Sequence, residues 1–588
     1  MVGRQSWRWV ALGGVAVVVV AVAIWKFAPH EEAPTQAQEI PRIVVLPFEN
    51  LGSPDDEYFA SGITEEITSR LAAVSGLQVI SRTSARTYLG TNKTVREIGE
   101  ELDVGYALEG TIRWDRGETG HGRVRITPQL IRVADDSHLW SERYDRMLDD
   151  IFAVQSDIAE QVIDQMRATL LEPERRAIEA LPTNNMEAYN WYLVGSQRYW
   201  FSTEEKYVRL QVEAFERAVE LDPEFAIAYA SLSEAHTALY HQRYDFTSER
   251  LEDARKSAER ALALQPDLPD GHRALGWYYY QGFRDYDRAL QEFEIASQAL
   301  PNDSDILYGF FAVSRRQGRW AEALEVLDRW RKIDPNNYSL WEENGWTHIW
   351  LRQYEKAEGL MRRAIAIRPD QPDAYGDGIR LYSLWDGTTD RARRLVESAP
   401  KMDSPDIEYE MLLLDLYDRK PDRALSRLEE STIAAYSTQQ YYVPKGLLEC
   451  VCFSEIGEDE RAKSACTSTA DLLQREIDLR PHDYRVHTAL GHALALLGRN
   501  QDAVRAAEHG VELMPISRDV LVGADQTIEL AKIYTRVGRH DDALELIEEL
   551  LSMPSFLSVG LLRLDPVWDP LRDNPRFQAL LEKYDVER

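Results

Sequence analysis

The chain has 588 residues, of which 44% are hydrophobic and 28% charged, with a formal net charge of −31. This is the composition of a folded protein, and the length exceeds what one ordinary core supports. So acidic a surface repels phosphate backbones, which argues against nucleic acid as the principal partner.

The run from Trp9 to Trp25 carries no charge. As a helix it spans roughly 25 Å, near the low end for a bilayer. Trp7, Trp9 and Trp25 stand at its ends, where indoles favour the interface, and Lys26 can extend outward. A cleaved leader would need a small-x-small site after the run, whereas Trp25-Lys26-Phe27-Ala28-Pro29 follows. Residues 9–27 are therefore expected to form a transmembrane anchor. Arg4 and Arg8 precede it, so residues 1–8 are placed in the cytoplasm. The expected location is a single pass through the inner membrane, with most of the chain periplasmic. Residues 28–41, rich in Pro, Glu, Gln and Ala, read as a tether.

A small α/β domain is expected over 42–171. Ile43-Val44-Val45-Leu46 lies between Pro41 and Pro47 as a buried strand. Ile63, Ile67 and Leu71 recur at helical steps, and Leu77-Gln78-Val79-Ile80 is a second strand. Val95, Ile98 and Leu102 mark a short helix. Tyr106 to Trp114 alternates at period two, as do residues from Val124, predicting a hairpin across Asp115–Gly122. Pro128 predicts a bulge or an edge. A strand candidate runs from His138 to Tyr144, and Ile151, Val154, Ile158, Val162 and Met166 stripe a closing helix. The order β-α-β-α-β-β-β-α implies a mixed sheet packed against helices. The loop Phe48-Glu49-Asn50-Leu51-Gly52 follows the first strand, where α/β sheets often hold a small ligand. No phosphate-cradling glycine pattern accompanies it, and a plain turn and helix cap is the simpler reading.

The stretch IVVLPFENLGSPDDEYFASGITEEITSRLAAVSGLQVISRTSARTYLG, then LEGTIRW and HLWSERYDRMLDDIFAVQSDIAEQV, resembles a bacterial family described as TolB amino-terminal-like or FlgO-like. The resemblance covers roughly residues 41–171. It implies tetratricopeptide (TPR) repeats downstream and, in many relatives, an adenylate cyclase, kinase or winged-helix domain upstream. Only eight residues precede the apolar run here, so that effector domain is expected to be missing.

Beyond residue 185 the chain repeats itself. Pro301, Pro335 and Pro369 are 34 apart, as are Pro481 and Pro515, and a 34-residue period with proline after the second helix is the TPR signature. Trp341, Gly345, Ala357 and Ala364 occupy the motif positions of one unit; Leu490, Gly491 and Ala503 those of another. Small residues are needed there because the paired helices approach closely. The count is about nine units over 185–554, degenerate at 370–480, with residues 555–588 capping the open end. Cys450, Cys452 and Cys466 fall in the degenerate part. They are too few for a disulfide framework and lack zinc spacing, leaving buried thiols or one bridge through Cys466.

The fold class is thus mainly α: a TPR solenoid preceded by a small mixed-sheet α/β domain and one transmembrane helix. In such repeats the first helix of each unit lines the concave face, and the family register selects Arg273, Trp277, Tyr280, Tyr308, Arg315, Arg316, Trp346, Ile349 and Trp350 as an aromatic and basic protein-binding groove. Aromatics and arginines suit contact hot spots, although tryptophan in helical repeats is more often packing between units. No nucleotide-binding, zinc-protease, hydrolase or kinase motif is present, and His487 and His492, five apart, do not share a helix face. The expectation is a non-enzymatic interaction scaffold in the cell envelope with no cofactor or metal, binding a protein or peptide. The alternative is a sensory module in which the α/β domain binds a small ligand and the solenoid relays it.

Overall fold

The structure, a computed structural model, describes residues 40–585 other than 116–122, 148–149, 197–204 and 403. Among these no helix is long and apolar enough to cross a membrane. The expected single-pass inner-membrane location is corrected on that finding; the segment 9–27 on which it rested, with residues 1–8 and most of the tether, lies outside the described residues.

In the α/β domain, β1 (Arg42–Val45) leads to β2 (Glu49–Asn50), α1 (Glu57–Ala72), β3 (Gln78–Val79), α2 (Arg82–Arg86) and α3 (Val95–Leu102). Then come β4 (Tyr106–Asp115), β5 (Arg123–Arg132), β6 (Ser137–Ser141), β7 (Tyr144–Met147) and α4 (Ile151–Met166). β1 lies between β3 and β4, parallel to both. β4 pairs antiparallel with β5 over its length, and β5 pairs with both β6 and β7. The expected strand from His138 to Tyr144 is thus divided between β6 and β7. Pro128 stands inside β5 opposite Gly110, and the irregularity lies two residues on, at Leu130/Ile131. Ile63, Ile67 and Leu71 of α1 and Ile158 and Val162 of α4 cover one sheet face. Ile98 and Leu102 of α3 cover Val44 and Ala107 on the other.

From Met186 to Ser552 the described residues form ten antiparallel helix pairs. Close packing explains the glycines: a Cβ at Gly276 or Gly309 would meet Phe293 at 2.5 and 2.6 Å, and one at Gly345 would meet Met361 at 2.7 Å. The degenerate region departs from the helical expectation with a β-hairpin, Ala435–Ser437 against Tyr442–Pro444. Beside it a disulfide joins Cys450 to Cys466 across adjacent helices, and Cys452 is a buried free thiol.

The α/β domain docks on the repeats through a shared apolar core, with Phe152 against Tyr189 at 4.6 Å between centroids, and through polar contacts. Asp334, fully buried, accepts from the Ser84 hydroxyl at 2.6 Å and the Ser84 amide at 3.1 Å. Asn302 Nδ2 donates to the Ala72 and Leu77 carbonyls at 3.2 and 3.0 Å.

The solenoid also closes on its own distal part. Arg243, Arg284, Arg352 and Arg419 sit at helix ends with φ between 53° and 64°, a conformation that costs a residue with a Cβ roughly 1–2 kcal/mol. Each reaches the late part of the chain. Arg284 Nη2 donates to Tyr484 Oη at 3.1 Å and Arg419 Nη2 to Asp569 at 2.8 Å. Arg352 donates to the Leu550, Leu551 and Leu557 carbonyls at 2.8, 3.2 and 3.1 Å. Arg243 feels the charge of Asp483. Where the turn residue is Gly387 instead, a Cβ would lie 3.3 Å from the Gly560 backbone. Deepest is Asp519, at 0% exposure: it caps the helix Val520–Arg536, and its Oδ2 accepts from Arg316 Nη1 and Tyr286 Oη, both at 2.7 Å.

Breaking a buried charge pair from one side leaves the other charge stranded. Asp519→Ala is expected to cost about 3–5 kcal/mol in denaturant unfolding. Arg352→Gly relieves the left-handed strain but strands three carbonyls, so a net loss of about 2 kcal/mol is expected in the same measurement.

Candidate functional site

The closure bounds an open cavity of about 380 Å3. Its walls are first helices of successive pairs: Ser304–Arg316, Tyr338–Trp350, Asp373–Asp386 and Pro405–Tyr417. A π-helical turn, Tyr278–Phe283, contributes Tyr280 at one side. Opposite stand the hairpin tip Thr438–Tyr441 and the helix Val520–Arg536, with Phe556 beyond it. The tip is held by Arg316 Nη2, which donates to Gln439 Oε1 at 2.5 Å, by Gln526 Nε2, which donates to the Gln440 carbonyl at 2.8 Å, and by Arg485 and Tyr484, which donate to the Thr438 and Gln439 carbonyls.

Of the residues chosen by register, Tyr280, Tyr308, Arg315, Arg316 and Trp346 line this cavity. The other four do not. Ile349 and Trp350 are fully buried, Trp350 against Phe556 at 4.3 Å between centroids. Trp277 packs on Phe293 and Tyr308 at 5.1 and 5.4 Å. Arg273 is bound by Glu234 and Asp303, each at 2.8 Å. The groove is also not basic. Arg315 pairs with Glu343 at 2.6 Å and Arg316 with Asp519, so neither presents a spare charge.

Sequence reasoning missed Arg380, Asp373, Asp377, Asp406, Tyr409, Asp525 and Lys532, all cavity-lining. The signal for two of them, Asp373 and Arg380, was available: adding one 34-residue period to positions 339, 342, 346, 349 and 350 gives 373, 376, 380, 383 and 384, all in the wall.

Carboxylates dominate the electrostatics. Glu410 binds Arg380 at 2.5 Å and Glu529 binds Lys532 at 2.8 Å. Against its burial, Lys532 and His492 hold the Glu529 carboxyl well below the usual range. Burial pushes Asp377 up to about 7 and Glu342 well above its ordinary value, with Glu343 reinforcing both. Asp525 is likewise raised by burial. His241 is driven down to about 3 by burial and by the arginines Arg316, Arg284 and Arg243, so it stays neutral. The Phe48–Gly52 loop of the α/β domain is committed elsewhere: Glu49 and Asn50 pair with β4, and the Phe48 amide donates to Thr64 Oγ1 at 3.2 Å.

Models described as tetratricopeptide repeat match residues 243–304, 280–343 and 527–555. The helix pairs within those spans are TPR repeats. A curated relative named "Putative adenylate cyclase 3", of Rhizobium meliloti (strain 1021), is 36% identical over 266 residues, 43% of this chain and 44% of its own. Anaphase-promoting complex subunit 3 of Schizosaccharomyces pombe (strain 972 / ATCC 24843) is 24% identical over 199 residues, 34% of this chain and 28% of its own. The chain thus spans less than half the length of the curated relatives it matches. Among solved structures, YrrB, a TPR protein with an unusual peptide-binding site, overlaps 29% of this chain and 84% of its own at 22% identity and a TM-score of 0.22.

A carboxyl raised in the folded state holds its proton more tightly there than in the unfolded chain. The contribution of Asp377 is therefore intact below about pH 4 and is lost as pH rises through about 7. The groups facing Asp377 are Glu342 and Glu343 from the neighbouring helix, and Asp373 and Arg380 on its own. The melting temperature is expected to fall by a few degrees over that window, and Glu342→Gln with Asp377→Asn to flatten the fall in a pH series.

Proposed function

We propose that this chain is an interaction scaffold that holds a segment of a partner protein in the concave cavity of its TPR repeats, and that it carries no catalytic site of its own. One observation carries the reading: helices from consecutive repeats converge on a single cavity whose wall mixes rings with charged groups, Tyr308, Trp346, Tyr409 and Tyr441 beside Arg380 and Glu410. Rings supply contact area at small entropic cost, and buried charges supply selectivity.

A signalling role is the second reading, supported by the junction between the two domains. Ser84, Asp334 and Asn336 form one buried polar contact, with the Asn336 amide donating to Ser84 Oγ at 2.8 Å. A change in the α/β domain would act on the repeats there. The resemblance of residues 42–171 to the TolB amino-terminal-like family and the relative named as a cyclase both fit a chain that belongs to a signalling system.

In-cell crosslinking followed by capture of the full chain tests the scaffold. Tyr308→Ala with Tyr409→Ala removes two partly buried rings and is expected to lower recovery of a discrete partner at least tenfold while the helical circular dichroism is kept. Recovery unchanged by the double variant would refute binding in the cavity.

A further inference from the structure

The charges in the cavity do not balance. Arg315, Arg380 and Lys532 are taken by Glu343, Glu410 and Glu529, and Arg316 by Asp519 behind the wall. Five lining carboxyl groups remain: Glu342, Asp373, Asp377, Asp406 and Asp525. Among the described residues no ion pair reaches any of them.

Two of these groups are held in surroundings that leave them short of a donor. Asp377, at 9% exposure, has the carboxyl of Glu342 as its side-chain hydrogen-bonding neighbour, an arrangement that needs either a shared proton or a cation between the two. Asp525 Oδ2 is sealed from water and has no hydrogen-bond partner. A buried acceptor without a donor is costly, and a cation that reaches the Glu342–Asp377 pair lifts that cost there.

The rings point the same way. Arg380 already lies over Trp346 at 5.0 Å and over Phe556 at 5.6 Å, so these faces accept a guanidinium. Tyr409 of the helix Pro405–Tyr417 and Tyr441 of the hairpin tip meet at 4.8 Å between centroids in the cavity lining. Rings of this kind bury an aliphatic stem, while carboxylates beyond them take its charged head. Among the described residues no three His, Cys, Asp or Glu side chains come together closely enough to hold a metal ion. The acids are spread over the wall, which suits a ligand with separated charges. An anionic segment would find no spare cation on this wall, since Arg315, Arg316, Arg380 and Lys532 are already paired.

We propose that the segment held in this cavity is basic, carrying at least two lysine or arginine side chains whose heads sit among Glu342, Asp373, Asp377, Asp406 and Asp525 and whose stems lie on the rings of Tyr409 and Tyr441. The inference rests on the scaffold reading and names the chemistry of its partner. A cavity of about 380 Å3 holds a short stretch rather than a folded helix, so the segment enters extended, as a tail or a loop.

The test is calorimetric titration of the full chain with trilysine, triarginine, triglutamate and free spermidine at near-neutral pH and moderate salt. Two variants run beside the parent: the cavity triple Glu342→Gln/Asp377→Asn/Asp525→Asn, and a surface triple Asp541→Asn/Glu545→Gln/Glu549→Gln. The second removes the same number of carboxyl groups from one exposed stretch and so controls for the attraction of any polycation to a chain of net charge −31. The expected result is one site for a basic tripeptide, weakened at least tenfold in the cavity triple and less than twofold in the surface triple, with none for triglutamate. The cavity substitutions are expected to fold, since they replace acids already driven towards the neutral form, and a retained melting transition checks this. Equal weakening by both triples, or no saturable binding, overturns the proposal. So does spermidine binding more tightly than either basic peptide, which assigns the site to a free amine. If the basic peptides fail while the Tyr308/Tyr409 variant still loses its partner in cells, the scaffold stands and only the basic character of the segment falls. If partner recovery survives that variant, the scaffold reading itself falls.

Discussion

Asp519 is the constraint on which the rest of the structure turns. It is a carboxylate with no exposed surface, and burial alone would neutralise it. The Arg316 guanidinium and the Tyr286 hydroxyl keep it charged and below the ordinary carboxylate range. Because Arg316 also donates to Tyr280 Oη at 2.8 Å and to Gln439, one arginine joins an early helix, the π-helical turn, the hairpin tip and the late helix that Asp519 caps. That knot fixes where the helix Val520–Arg536 lies across the concave face, and the arginines at the helix ends hold the rest of the closure.

A linear repeat array is held by contacts between neighbours, and its stability is close to a sum over units. The contacts described here skip many units. Their cost is visible in the backbone, where four arginines adopt a conformation that glycine takes more easily. Strain of this kind persists only where the surroundings over-determine it, and here each strained residue reaches the distal part of the chain.

This division explains what the sequence made legible. The repeats were readable because they are local: a helix pair is specified by small residues and a proline at fixed offsets, as at Gly345, Ala357 and Pro369. The mixed sheet was readable from period-two alternation in β4 and β5. Closure was not readable, since nothing near Arg316 announces a partner some two hundred positions later. The same blindness affected the binding face. Register correctly brought Tyr308, Arg315 and Trp346 to the wall, but it could not tell that Arg315 was already paired, so the groove read as basic when its surplus is acidic. Ile349 and Trp350 satisfied the register and still went into the core, because the late segment carrying Phe556 packs over them. The hairpin at Ala435–Pro444 breaks the helical rhythm with a run of tyrosines and no glycine, a pattern that helix-repeat reasoning passes over.

An open solenoid can gain or lose a unit at any joint, because each joint resembles the next. Between Arg316 and Asp519 this chain has given up that freedom. One additional helix pair inserted there would move Asp519 away from its arginine and set Leu550 and Asp569 out of reach of Arg352 and Arg419. Growth by duplication is therefore blocked inside the closed turn, and in the repeats that precede it the Ser84–Asp334 contact sets the same limit. Length, which is the variable quantity in most repeat proteins, is here as fixed as it would be in a globular enzyme.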